Sequence, residues 1–472
     1  MSYQILKTEQ KALEINLNAA IYGTFAEIGA GQEVARNFFQ AGAAANTIAK
    51  TMSAYDKTYS DAIYGVEPSG RYVCESRLYK MLNHEWILLE ERLQNNRPDT
   101  KFFVFADTVT TINYTKTVKG QGWMGLKFQL TPHTATNEMV VHVKLLDNDT
   151  RLQQEAIGIL GVNMIYAAFY HYNDTKNFIQ SLQDSLQGRA LVDLVRLKGP
   201  DFDHVDNRLL SFYLVRYGLT DVAMFDENRM SVHGSEFLYR KSLMVVRGHF
   251  KPPTVVTLDV FKSGFEQFNN ESYVDKERSI ILAELTLDNL NKDINKINEI
   301  DFIERTEMLC QLGYKVMITN CTNHQALISY LEDFKITTTG LVIGVRELLE
   351  IINEKYYQNQ DGRLLVAFGE LFTRNIKIYA YPALADDRKQ MLTASNLPVP
   401  EGITFLYKHL LNSHQIAEIE KYDEEMLQIL PQNVLGLIHV GDPNWEKLVP
   451  SVLVGIIKER KYFGYNSQTN AF

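Results

Sequence analysis

Apolar and polar positions change rhythm several times along the chain, and each change predicts a different kind of element. Over Arg71–Leu93, apolar residues recur at Leu78, Met81, Leu82, Leu88 and Leu89, a helical spacing. Gln32–Ala45 reads the same way, so the first hundred residues are expected to be mainly helical. From Lys101 onward, β-branched and aromatic residues take over. Lys101–Ala106, Gly125–Leu130 and Met139–Leu146 predict strands, with Gly and Pro around them for turns. A helix is expected over Arg151–Tyr170 with Thr150 as its cap. Its apolar run, Ala156–Tyr170, contains Asn163 and is shorter than the roughly 18–20 residues of a membrane span, so it predicts a buried helix. Ala190–Leu197 follows as a strand and His204–Tyr217 as a helix.

Beyond about residue 240 the alternation becomes regular. Met244–Val246 and Val255–Val260 predict strands, and Ser279–Leu287 fits either a strand or a helix. Asp301–Glu304 supplies a capping-box-like helix start, and Gly313 a stop. Lys315–Asn320 is a strand. Asn323 then caps a helix with Ala326, Leu327, Tyr330, Leu331 and Phe334 on one face. Gly340–Gly344, Glu347–Tyr357 and Ile376–Tyr381 continue as strand, helix and strand. Strands alternating with amphipathic helices predict an α/β fold with a parallel sheet or partial barrel over 240–382. After Pro382 the pattern weakens: Pro398 and Pro400 mark a loop, and Thr404–Leu411 and Trp445–Lys458 predict helices. The expected organisation is a mixed α+β domain over 1–240, an α/β domain over 241–382 and a helical subdomain over 383–472.

Composition narrows the class. A chain of 472 residues exceeds one ordinary core. Its 45% apolar and 22% charged residues are ordinary for globular proteins. The net charge of −9, with no run of Lys and Arg, argues against nucleic-acid binding. The N-terminus Met1–Lys7 lacks a signal-peptide pattern, and no membrane partner is expected. Cys74, Cys310 and Cys321 are odd in number and far apart, which fits a reducing, cytoplasmic setting. The 25 Tyr and 24 Phe suit aromatic cores, ligand pockets or a self-association surface in a homo-oligomer.

Candidate chemistry concentrates in two places. In open parallel sheets, ligands bind beyond the carboxyl ends of strands. That rule nominates Asn320, Thr322, Asn323 and His324 after one strand, and Gly344, Arg346 and Glu347 after the next. Arg346 at a helix start suits a phosphate or carboxylate; ordinary helix capping explains Thr322 and Asn323 equally well. The second place is the turn around Gly29 and Gly31, where a following helix offers N–H groups to an anion. Against it, no GxGxxG pattern is present and no clear strand precedes the turn. Cys321 and His324 have the residue types of a nucleophile and base, but lack an identifiable third group. Asp203, Asp206 and Arg208 read as a capped helix start, and Trp123 as the anchor of a Gly-rich hairpin. No Cys/His spacing predicts a metal, and no motif names a cofactor.

Tyr22–Gln32 resembles the nucleotide-binding start of nicotinate-nucleotide adenylyltransferases, matching at Gly23, Thr24, Phe25, Ile28 and Gly31. That family stabilises phosphates with two histidines, where this chain has Gly29 and Gln32. Val316–Asn320 and Gly340–Val345 resemble later barrel strands of nicotinate phosphoribosyltransferases, with Arg346 where a hydroxyl residue would stand. Nearly end to end, the chain is similar to a family of bacterial proteins sharing the blocks Phe25–Arg36, Ser53–Asp56, Gly122–Gly125 and Val205–Arg208. That family carries the labels nicotinate-nucleotide adenylyltransferase and TonB-dependent receptor. The residues support neither: the histidines are missing, and so is a long series of alternating barrel strands. Two classes remain open. One is a protein that binds or transforms a phosphorylated small molecule, a nicotinate-type nucleotide among the candidates. The other is a non-catalytic structural or regulatory protein that self-assembles or binds a protein partner.

Overall fold

Strand β1 (Ile21–Ile28) opens a sheet that the helix-like rhythm of the first hundred residues conceals. Its side chains are buried on both faces, so polar–apolar alternation does not mark it. This corrects the expectation that no strand precedes Gly29: β1 runs directly into it. The computed structural model describes residues 3–68, 70–290, 299–321, 324–352, 369, 372, 376–385 and 390–466. They divide into two units, 1–223 and 224–472.

In the first unit, β1 pairs in parallel with β2 (Ile48–Ser53) and β3 (Lys101–Thr110). Antiparallel strands β4 (Gln121–Phe128), β5 (Asn137–Leu145) and β6 (Ala190–Lys198) complete the order β2-β1-β3-β4-β5-β6. The helices are α1 (Thr8–Asn16), α2 (Glu33–Ala41), α3 (Lys57–Tyr64), α4 (Glu75–Leu93), α5 (Thr150–Tyr170), α6 (Thr175–Leu182) and α7 (Asn207–Arg216). On one face, Leu78, Met81, Leu82, Trp86 and Leu89 of α4 pack against Ala26, Ile28, Phe102, Val104 and Ala106. On the other, Phe25 meets Phe38 of α2 as well as Phe103 and Phe105, and Phe103 and Phe128 meet Phe169 of α5, with ring centroids 5.4–6.1 Å apart.

Helix α5 is the buried helix its apolar run predicts, and Asn163 within it is fully satisfied. Its amide donates to the carbonyls of Leu182 and Asp184, and its oxygen accepts from Lys11 Nζ at 2.9 Å. Lys11 also meets Asp184 at 2.8 Å, so α1, α5 and the end of α6 share one buried polar hub. The cap of α5 is Asp149, which accepts from the backbone of Arg151 and Leu152, rather than Thr150.

The second unit carries a sheet in the order β16-β13-β12-β9-β10-β11-β7-β8. Its strands are β7 (Val222–Phe225), β8 (Ser231–Val232), β9 (Ser242–Arg247), β10 (Ser279–Thr286), β11 (Lys315–Thr319), β12 (Thr338–Gly344), β13 (Ile376–Tyr381) and β16 (Ile416–Glu418). A separate hairpin is made by β14 (Ala383–Leu384) and β15 (Met391–Leu392). The helices are α8 (Gly234–Phe237), α9 (Val255–Asn269), α10 (Leu287–Leu290), α11 (Glu299–Gln311), α12 (His324–Leu331), α13 (Val345–Ile352), α14 (Thr404–Asn412), α15 (Pro431–Val440) and α16 (Ser451–Arg460).

Val255–Val260 is therefore the start of helix α9, not a strand. Its β-branched residues favour a strand locally, but Pro252 and Pro253 precede it and Thr254 with Thr257 forms a capping box. Residues beyond 382 add β16 to the edge of the parallel sheet, pairing with β13. The expected helix over Trp445–Lys458 is split at Pro450 into a 3-10 turn, Pro443–Lys447, and helix α16. Trp445, Leu453 and Ile457 cluster with Val434 and Ile438 of α15 and Met308 of α11. The part of the predicted Glu347–Tyr357 helix beyond Ile352 lies outside the described residues. Among the described residues, no helix is long and apolar enough to cross a membrane.

Candidate functional site

Numbering the parallel strands β9, β10, β11, β12, β13 and β16 from one to six gives the spatial order 3-2-1-4-5-6. This is the order of a doubly wound nucleotide-binding sheet. Its topological switch lies between β9 and β12, whose following chains leave in opposite directions and open a crevice at their carboxyl ends. A cavity of about 730 Å³ lies there. It is lined by Val246–Pro252 at and beyond the end of β9, the first turns of α9, the end of β12, Tyr381 of β13, and residues from Leu427 to Leu435.

Four cationic side chains line this cavity: Arg247, Lys251, Arg305 and Arg346. Among the described residues its lining contains no carboxylate. The counterions of Arg247, Lys251 and Arg305 lie outside the lining. Arg247 donates through Nε and Nη2 to the two oxygens of Glu284, at 2.9 and 2.8 Å. Burial works against the charge on Arg247, but the Glu284 carboxylate outweighs it and holds the guanidinium above its ordinary pKa. Asp301 receives Lys251 Nζ at 2.7 Å and also pairs with Arg305. Arg305 donates in addition to the carbonyl of His249 at 3.0 Å. Arg346 reaches the carbonyl of Leu384 at 2.7 Å. Side chains held in this way are positioned before any ligand arrives, which lowers the ordering cost of binding an anion.

The crevice rule locates some of its nominees here and not others. Gly344 and Arg346 line the cavity. Asn320 is exposed beyond β11 and is not part of the lining. Thr322 and Asn323 lie outside the described residues. His324 is buried at the start of α12, with Nε2 3.2 Å from Glu347 Oε1. Glu347 thus supplies a partner for His324 that spacing alone did not reveal. Cys321 is buried just beyond β11.

The sequence reading missed Arg247, Lys251 and Arg305. Arg247 and Lys251 flank the turn after an apolar strand, a signal obscured by assigning Val255–Val260 to another strand. Arg305 sits one turn along α11 from Asp301, and only the fold carries it to the end of β9.

The Gly29–Gly31 turn belongs to the first unit and has a different role. Glu27, on β1, turns its carboxylate onto the first turn of α2, accepting from the backbone N–H groups of Val34 and Ala35 at 3.1 Å each. The chain's own carboxylate therefore occupies the helix N-terminus proposed for an exogenous anion. In-register on β3 stands Asp107, whose Oδ1 accepts from Ile28 N–H at 3.1 Å. Burial pushes the Glu27 carboxyl up to about 7, against the pull of its backbone hydrogen bonds. Burial, with Glu27 as neighbour, also raises Asp107 well above the usual carboxylate range. Glu27 accepts from two backbone donors and Asp107 from one, so Glu27 is the member that ionises first as pH rises and Asp107 holds its proton longer.

Fold and site together define an α/β protein with a cation-lined cavity at the switch point of a doubly wound sheet. No protein-family model and no curated protein matches the chain. Solved structures give partial likenesses. One is a competence/damage inducible protein, CihA, from Agrobacterium tumefaciens, at 16% identity over 35% of this chain and 98% of that one, with TM-score 0.26. Another is a competence or damage-inducible protein from Enterobacter asburiae, at 12% identity, 34% and 95% coverage and TM-score 0.25. A third is a competence-damaged protein (CinA) superfamily protein from Enterobacter cloacae, at 13% identity, 36% and 98% coverage and TM-score 0.25. Likenesses at these TM-scores carry no weight for function.

Proposed function

We propose that the second unit binds a phosphorylated small molecule at the carboxyl ends of β9 and β12. The observation that supports this most is the lining itself, with Arg247, Lys251, Arg305 and Arg346 facing one cavity and no carboxylate in the lining among the described residues. A phosphate there replaces lost hydration with charge-assisted hydrogen bonds, each stronger than a neutral one. Glu284 engages only part of the Arg247 donor set. A nicotinate-type mononucleotide belongs among the ligands to be screened.

The test is a thermal-shift and calorimetric screen of the full chain with inorganic phosphate, sugar phosphates, nucleoside monophosphates and nicotinate mononucleotide. At least one phosphorylated compound is expected to stabilise the protein. Arg346 is exposed, so Arg346→Ala should leave the unliganded melting temperature unchanged. Loss of a charge-assisted bond worth about 1.5–3 kcal/mol should weaken binding by roughly 10- to 100-fold. Binding should also weaken as salt rises. Failure of every phosphorylated compound, or full affinity in Arg346→Ala, counts against the proposal.

Self-association is the alternative, motivated by exposed aromatics such as Tyr55, Tyr59 and Phe405. Light scattering across concentration decides it, since a strict monomer removes the idea. A cytosolic setting agrees with three buried cysteines that form no disulfide.

A further inference from the structure

Resting on the phosphate reading above, we infer that the ligand of this cavity is a phosphomonoester carrying an apolar body, and that dinucleotides are disfavoured. Three features of the switch point lead to this conclusion.

The first is the turn between β9 and α9. In dinucleotide-binding sheets this turn is glycine-rich, so that backbone N–H groups can approach and cradle the pyrophosphate. Here it reads Gly248-His249-Phe250-Lys251-Pro252-Pro253-Thr254. The two prolines have no N–H, and Thr254 N–H is engaged by Thr257 Oγ1 at 3.0 Å. Positive charge at this turn comes from side chains, which suit a compact, highly charged terminal phosphate better than a diester bridge.

The second feature is the acidic residue of β10. A dinucleotide site needs a carboxylate to accept from ribose hydroxyls, and β10 offers Glu284. That residue is fully buried, both its oxygens are taken by Arg247, and Oε1 also accepts from Thr319 at 2.8 Å. A ribose competing for it would break a buried ion pair.

The third is the remaining lining, in which Val256, Val260, Phe261, Leu427, Leu430 and Leu435 present apolar surface. A cavity of about 730 Å³ lies within the usual range for small-molecule sites. An apolar body attached to the phosphate would bury against these side chains, which inorganic phosphate cannot do.

Calorimetric titration of the unmodified full chain with inorganic phosphate, phenyl phosphate and NAD+ tests the inference. Phenyl phosphate should bind at least tenfold more tightly than inorganic phosphate, and NAD+ more weakly than phenyl phosphate. Val256→Thr, nearly isosteric and therefore compatible with folding, should shrink the phenyl advantage while leaving inorganic phosphate unchanged. Equal affinity for phenyl and inorganic phosphate overturns the inference and leaves the phosphate site standing. So does NAD+ binding as tightly as phenyl phosphate. If none of the three binds, the inference fails, and the phosphate site fails with it when the wider screen of phosphorylated compounds is also negative.

Discussion

Replacing Gly29 by Ala should destabilise the first unit far more than replacing Gly31, although both glycines have positive φ. Gly29 has φ of 104° and Gly31 of 95°, so a side chain at either incurs left-handed strain of about 1–2 kcal/mol. Their surroundings differ. A Cβ on Gly29 would lie 1.9 Å from the carbonyl oxygen of Val109 and 3.1 Å from its carbon, whereas a Cβ on Gly31 meets nothing within 4 Å. Val109 cannot yield easily, because it sits on β3 opposite Gly122 of β4. Displacing it disturbs the ladder that joins the parallel and antiparallel halves of the sheet. Adding that overlap to the strain puts Gly29→Ala at roughly 3 kcal/mol or more, against about 1–2 kcal/mol for Gly31→Ala. Urea unfolding followed by tryptophan fluorescence reads this out. In a Trp445→Phe background the remaining tryptophans, Trp86 and Trp123, both report the first unit. With a slope on the order of 2 kcal/mol per molar urea, the Gly29→Ala midpoint should fall by about 1.5 M. Equal shifts for the two variants would show that contact with Val109 is not what requires glycine.

The buried carboxyls make a pH prediction for the same unit. Glu27 and Asp107 both have raised pKa values when folded, so the native state holds protons that the unfolded chain releases. Stability should therefore fall as pH rises from about 4.5 through about 7. Asp107→Asn, which keeps an acceptor for Ile28, should flatten the decline. Urea midpoints at pH 5 and pH 8 check this, and an unchanged slope in the variant would refute the idea that Asp107 is one of the buried carboxyls holding a proton. In the second unit, Arg247→Met leaves Glu284 buried without its guanidinium and should cost about 3–5 kcal/mol. Adding Glu284→Gln should recover part of that loss in thermal melts of the full chain. The ligand screen with Arg346→Ala and the phenyl phosphate titration complete the set.

Local signals survived where the residues that define an element also bury it on one side. The stripe of Leu78, Met81, Leu82 and Leu89 is the face that α4 packs on the sheet. Ile376–Tyr381 is a strand over its predicted length. Errors arose where tertiary packing overrides propensity. Strand β1 is buried on both faces and so lacks alternation. Helix α9 begins with β-branched residues yet packs along β9, β12 and β13. That second error hid the βα turn carrying Arg247 and Lys251, and with it half of the cationic lining.

By itself, the amino-acid order determined the α/β class, the regular alternation after residue 240 and the placing of Gly344 and Arg346 at a strand end. Those properties depend on periodicity and on residues close together in the chain. Strand order was decided only by the tertiary structure, because each crossover can go to either side of its predecessor without a local signature. The 3-2-1-4-5-6 arrangement makes β9 and β12 neighbours, although 90 residues or so separate them in the chain. Arg346 reaches the turn carrying Arg247 and Lys251 through that adjacency, while Arg305 reaches it from α11 in the crossover between β10 and β11, and together they make the cation-lined cavity.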